Sequence, residues 1–163
     1  VQVEIIKILA GPMANFYTIK LDGETNTLFE KFIIENKSNH SSELKNISER
    51  IQVMSKKTGA RENFFKINEG EPGDGVCALY DDPDKNLRLY CVRYGSVVVI
   101  LGNGGEKPKP MRALQESTKL TKENDIVKRI SKGVTKAFRD KYLRWSANEM
   151  DIECDDDEMI IDI

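Results

Sequence analysis

Cysteine, histidine and tryptophan are scarce in this chain, with three Cys, one His and one Trp among 163 residues. Cys77, Cys91 and Cys154 are too few and too scattered for a disulfide framework, and no C-x-x-C occurs. His40, the lone histidine, cannot complete a zinc set. Reduced thiols in a cytosolic protein are the simplest reading. No apolar run approaches the ~18 residues of a membrane span. The opening VQVEIIKILA lacks the basic region and cleavage site of a signal peptide. These absences lead us to expect a cytoplasmic protein with no cofactor, no metal and no membrane partner.

Charge, by contrast, is plentiful and segregated. The 25 Lys and Arg nearly balance 27 Asp and Glu, for a net charge of −2. All the basic residues fall at or before Arg144, whereas eight acidic residues lie in the last fifteen positions. Residues 1–148 therefore carry a surplus of +6 and the remainder −8.

Two strands are expected first, Val3 to Leu9 and Phe16 to Leu21, joined as a hairpin across Gly11-Pro12. Thr27-Leu-Phe-Glu30 reads as a capping box, so a helix starts there and ends near Asn36. Leu44, Ile47, Ile51 and Met54 recur at helical spacing before Gly59, a residue suited to a C-cap. The short connection between these helices predicts an antiparallel helical hairpin. His40 falls in that connection and reads as solvated.

A brief strand at 64–67 and three more at 76–80, 87–93 and 97–101 then form a meander. Alternation puts Cys77, Leu79, Leu87, Leu89 and Cys91 on the core side, and Ala78, Tyr80, Arg88 and Tyr90 on a presented side. Matching those faces sets Ala78 opposite Tyr90 and Cys77 opposite Cys91. Val97 to Leu101 is apolar throughout, as a central strand covered on both sides should be. Gly102-Asn-Gly-Gly is expected to be a glycine turn closing the sheet. No Gly-Lys-Ser/Thr follows it, which excludes a Walker loop.

Beyond the turn, from Thr121, the spacing of Ile126, Ile130, Val134, Phe138 and Trp145 predicts an amphipathic helix with Lys128, Lys132, Lys136 and Arg139 on its far side. The acidic end is either a small hairpin around Asp155–Glu158 or disordered. The presented face of the meander carries Arg88 and Tyr80, with Lys66, Tyr90, Lys107, Lys109 and Arg112 placed around it. Cations interleaved with tyrosines suit a nucleic-acid backbone and its bases.

The order strand, two helices and meander resembles the RelE/ParE/HigB-like toxin superfamily over roughly residues 1–115. The carrying motifs are Asn86-Leu-Arg88-Leu-Tyr90, Val97-Val-Val-Ile-Leu101 and Gly105-Glu-Lys107-Pro-Lys-Pro110. The resemblance implies an α+β fold: a small antiparallel-rich sheet packed against an N-terminal helical hairpin. A helical extension over 116–146 and an acidic tail over 147–163 would follow.

It also implies a bacterial toxin that cleaves mRNA at the ribosome, neutralised by a cognate antitoxin protein, with a homodimer left open. By that match Arg88 contacts the scissile phosphate and Lys107 and Lys109 form the basic turn. The residues themselves add Tyr80 beside Arg88 as a catalytic candidate, and Lys66, Tyr90 and Arg112 as RNA- and phosphate-binding residues around the same face. Ala78-Leu79-Tyr80 stands where many members have Glu-Leu-Arg, and Gly-Gly-Glu-Lys replaces an aromatic-Lys-Lys. The alternative is a catalytically weakened module that binds RNA or protein and whose acidic tail covers its basic face.

Overall fold

A computed structural model describes residues 1–80, 86–107 and 118–163. Lys109 and Arg112 lie outside the described residues. The N-terminal half follows its local signals closely. Strands β1 (Gln2–Leu9) and β2 (Asn15–Leu21) pair antiparallel. Helix α1 (Leu28–Asn36) begins with both halves of the capping box: Glu30 N–H donates to Thr27 Oγ1 at 3.1 Å, and Thr27 N–H to Glu30 Oε1 at 2.9 Å. Helix α2 (Ser41–Val53) runs on into a π-helical turn, Met54–Thr58. Gly59 stops it at φ 79°, a left-handed conformation that glycine adopts without penalty.

The remaining strands are β3 (Phe65–Lys66), β4 (Val76–Leu79), β5 (Leu87–Tyr94) and β6 (Val98–Glu106). Helix α3 (Thr118–Arg139) comes next. It is followed by β7 (Arg144–Trp145), β8 (Ile152–Glu153) and β9 (Met159–Asp162).

The fold is α+β, with three α-helices among the described residues and a mostly antiparallel sheet, but the sheet is larger and more mixed than expected. Seven strands stand in the order β3-β4-β5-β6-β2-β1-β9, and β2 runs parallel to β6. The expected register holds in β4 and β5, where Cys77 faces Cys91 and Ala78 faces Tyr90.

Each side of the sheet has its own core. One comprises Phe16, Leu79, Leu87, Leu89, Cys91, Val99 and Leu101 against Phe32 of α1 and Leu44, Ile47 and Ile51 of α2. The other comprises Tyr17, Ile19, Val76, Ala78, Tyr90, Val92 and Ile100 against Leu120, Val127, Ile130 and Val134 of α3. Burying each large apolar side chain is worth about 1.5–3 kcal/mol, so neither layer is incidental.

Three expectations need correction. The side of the meander taken as presented is covered by α3, leaving Ala78 2% and Tyr90 3% exposed. Apolar residues on α3 needed a surface to bury against, and the alternate positions of β4 and β5 supply it.

The glycines at 102–105 do not turn. They lie within β6, where a Cβ on Gly104 would stand 1.7 Å from Arg88 O and one on Gly102 would stand 2.6 Å from Val127 Cγ2. Their role is close approach to β5 and α3. The pairing slips between Leu89–Gly104 and Cys91–Leu101, a bulge opposite Tyr90.

The acidic end is neither a hairpin of its own nor a free tail. β8 pairs with β7, and β9 pairs with β1 as a sheet edge. Asp151 anchors it: Asn15 Nδ2 donates at 3.0 Å, the buried Tyr17 hydroxyl at 3.1 Å, and Lys7 forms an ion pair. Asp155 meets Arg144 at 2.8 Å, and Asp156 accepts from the Tyr142 hydroxyl at 3.2 Å. Six strand spacings of about 4.8 Å separate β9 from Lys66 on β3.

Candidate functional site

Alternation along β5 puts Arg88 and Tyr90 together on the side of the sheet that α3 covers. Arg88 pairs in register with Gly105 and projects to the α3 side, half-buried. Burial raises the Tyr90 pKa, opposed by the nearby Arg88 guanidinium. Tyr90, expected to meet RNA, is thus closed over.

Lys66 sits opposite Ala78 on the same side and pairs with Glu69 at 3.4 Å. Tyr80 follows β4, 40% exposed, held by its backbone N–H to Phe64 O at 2.9 Å. Lys107 follows β6, and its backbone N–H donates to Asn86 O at 2.7 Å. Lys66, Arg88 and Tyr90 therefore share one side. Lys107 and Tyr80 lie where β4, β5 and β6 meet their connections.

On the opposite side, at the same end of the sheet, His40 is far from solvated. Its Nε2 lies 2.6 Å from Glu106 Oε1 and its Nδ1 lies 3.3 Å from Glu43 Oε1. Asn86 Nδ2 donates to Glu43 Oε1 at 2.6 Å. The His40 side chain is 15% exposed, that of Glu43 6% and that of Glu106 60%. The hydrogen bond to Glu106 raises the His40 pKa, burial opposes it, and the Glu43 charge adds to the rise.

With a carboxylate at each ring nitrogen, only the doubly protonated ring donates to both. Imidazolium is the favoured form. Glu43, at i+3 from His40, was a signal available in the sequence. Glu106 was not, because the chain around it reads as a turn rather than as the end of β6.

No family model, curated protein or solved structure matches this chain. Its chemistry must be argued from its own residues. Among the described residues, no group of three or more His, Cys, Asp or Glu is placed to hold a metal ion. No helix among them is long and apolar enough to cross a membrane.

What the sheet end offers is a proton-transfer pair, His40 and Glu106, with two cations close in sequence register. Leu87 pairs with Glu106 and Arg88 with Gly105, so Arg88 and Glu106 occupy adjacent rungs on opposite sides.

Proposed function

We propose that this protein is an RNA-directed, RelE-like toxin of a toxin–antitoxin pair. It cleaves mRNA on the ribosome, with α1 and α2 as the family's helical hairpin. The observation that carries the reading is the 2.6 Å contact between His40 and Glu106 beside Lys107. It supplies what an Arg and lysines lack, namely groups able to move a proton near neutral pH.

The exposed Glu106 carboxylate takes the proton of the ribose 2′-hydroxyl, and that oxygen forms a bond to phosphorus. The bond from phosphorus to the 5′-oxygen breaks, and the leaving oxygen takes a proton from the His40 imidazolium. The products are a 2′,3′-cyclic phosphate and a free 5′-hydroxyl. The proton now on Glu106 returns to His40 across their shared contact, restoring both groups. Lys107 and Arg88 neutralise the charge developing on the phosphate. Asn86 and Glu43 hold the ring.

One observation favours a second reading, RNA binding without cleavage. Both ring nitrogens of His40 face carboxylates, so the ring meets substrate only after Glu106 swings aside.

The test is induced expression together with cleavage of ribosome-bound mRNA, mapped by primer extension. Growth arrest with discrete cuts is expected. His40→Ala and Arg88→Ala should each lower cleavage about 100-fold or more while leaving the circular dichroism spectrum intact. Binding without cuts selects the second reading, and neither arrest, cuts nor binding refutes both. Relief by co-expression of a neighbouring antitoxin gene would complete the assignment.

A further inference from the structure

The basic surplus of this chain does not lie on its sheet. Residues 1–117 contain 16 basic and 16 acidic side chains and are neutral. α3 alone carries seven basic residues against two acidic ones, in a protein whose net charge is −2.

The helix spends its apolar side on the sheet through Leu120, Val127, Ile130 and Val134. Its outer side exposes Lys122, Arg129, Lys132, Lys136 and Arg139 at spacings of seven, three, four and three residues. That row spans about 26 Å at 1.5 Å per residue. Some charges are compensated locally: Lys136 pairs with Asp140 at 2.7 Å, and Arg129 donates to the main-chain oxygen of Ile163 at 3.1 Å. Among the described residues, no carboxylate lies within ion-pair distance of Lys122, Lys132 or Arg139. The acidic segment after α3 is engaged elsewhere, at Lys7, Arg144 and Tyr142.

We infer that the outer face of α3 is a docking surface for the phosphate backbone of structured RNA, separate from the sheet-end site. The row is linear, matching a strand of phosphates rather than a single anion. None of the large exposed hydrophobic side chains belongs to α3, so the face lacks the apolar anchor that an interfacial membrane helix inserts. It also lacks an exposed aromatic on which a base would stack. Recognition is then of backbone, not sequence. The inference stands whether or not the sheet end cuts RNA.

The experiment uses the full chain carrying His40→Ala, so that cleavage does not enter. Binding to a fluorescein-labelled RNA duplex is followed by anisotropy between about 50 and 200 mM salt. Affinity should fall linearly on logarithmic axes. Replacing Lys122, Lys132 and Arg139 together by Gln should flatten the slope by about 2–3 and weaken binding at least about tenfold in low salt. The charge-retaining set Lys122→Arg, Lys132→Arg and Arg139→Lys should bind as the parent does, and it controls for loss of fold.

Unchanged affinity and slope in the Gln variant would overturn the proposal. So would equal weakening by both variant sets, or binding to anionic vesicles as tight as to RNA. Absence of cleavage by the wild-type chain, with RNA binding intact, would refute the catalytic reading alone.

Discussion

Adding one carbon at Gly104 tests the closeness of β5 and β6 directly. An ideal Cβ at that position stands 1.7 Å from Arg88 O, 2.8 Å from Arg88 C and 3.1 Å from Leu89 Cα. A carbon–oxygen contact relaxes only near about 3.3 Å, so the strands must part by roughly 1.6 Å. All three obstructing atoms are main chain, and no rotamer relieves them. Overpacking costs about 1–3 kcal/mol, and each ladder hydrogen bond lost as the pair opens adds about 1 kcal/mol.

Gly104→Ala should therefore destabilise by about 3–5 kcal/mol, and each kcal/mol lowers Tm by about 2–4 °C at this size. Gly105→Ala is the matched control. Its Cβ meets Lys119 Cγ at 3.3 Å and Leu120 Cδ2 at 3.8 Å, side-chain atoms able to give way. It should cost within about 1 kcal/mol beyond ordinary strand effects. Urea unfolding of both variants is the assay. Gly104→Ala within about 1 kcal/mol of Gly105→Ala would refute the close strand approach, and with it the placement of Arg88 over β6.

Four further outcomes are expected. As the lone histidine, His40 gives one ring resonance by NMR, and its midpoint should lie above 6.5. A folded pKa above the unfolded one stabilises fully below about pH 6.5, and that contribution fades as pH rises through the folded value. The stability gap between wild type and His40→Gln should accordingly be wider at low pH than at high pH. Thr27→Ala removes the cap of α1 and should cost about 1 kcal/mol by thermal denaturation. Tyr17→Phe strips the Ile152 N–H of its acceptor at 3.0 Å and Asp151 of a donor, so a loss of about 1–3 kcal/mol is expected, with faster amide exchange in β8. Cys91 is fully buried and its thiol is pushed up chiefly by burial, while Cys77 is 2% exposed. Under native conditions a disulfide reagent should titrate Cys154 well before either of them.

Local signals carried the elements they govern. The Thr27 and Glu30 pair starts α1, Gly59 ends the π turn, and the period-2 pattern fixes Cys77 opposite Cys91. What the pattern cannot state is which layer fills each side of a sheet. Arg88 and Tyr90 made their side look solvent-facing, yet Tyr90 has enough apolar body to pack under α3. Gly102 to Gly105 carry strong turn propensity, and tertiary approach overrode it. The pairing of β9 with β1 and of β6 with β2 joins segments far apart in sequence, where no local signal acts. His40 was misjudged for the same reason, since Glu106 reaches it across 66 positions.

α3 covers much of one face of the sheet and α1 and α2 much of the other, which leaves its ends and edges as the main places for polar chemistry. β6 outruns β2, which pairs with it only from Val98 to Leu101, so residues 102–106 extend beyond the shared ladder. There the bulge aims Asn103 at Glu35, with Nδ2 donating at 2.9 Å, and the strand delivers Glu106 to His40. On the proposed function, RNA would cross the strand ends, where Arg88 and Lys107 lie, rather than lie flat on the sheet. The row of cations on α3 belongs to that same side, because α3 covers the face from which Arg88 projects. If both proposals hold, docking charge and proton-transfer groups are separated by the layering itself: the helix that covers the face would take over the electrostatic role the face was expected to play.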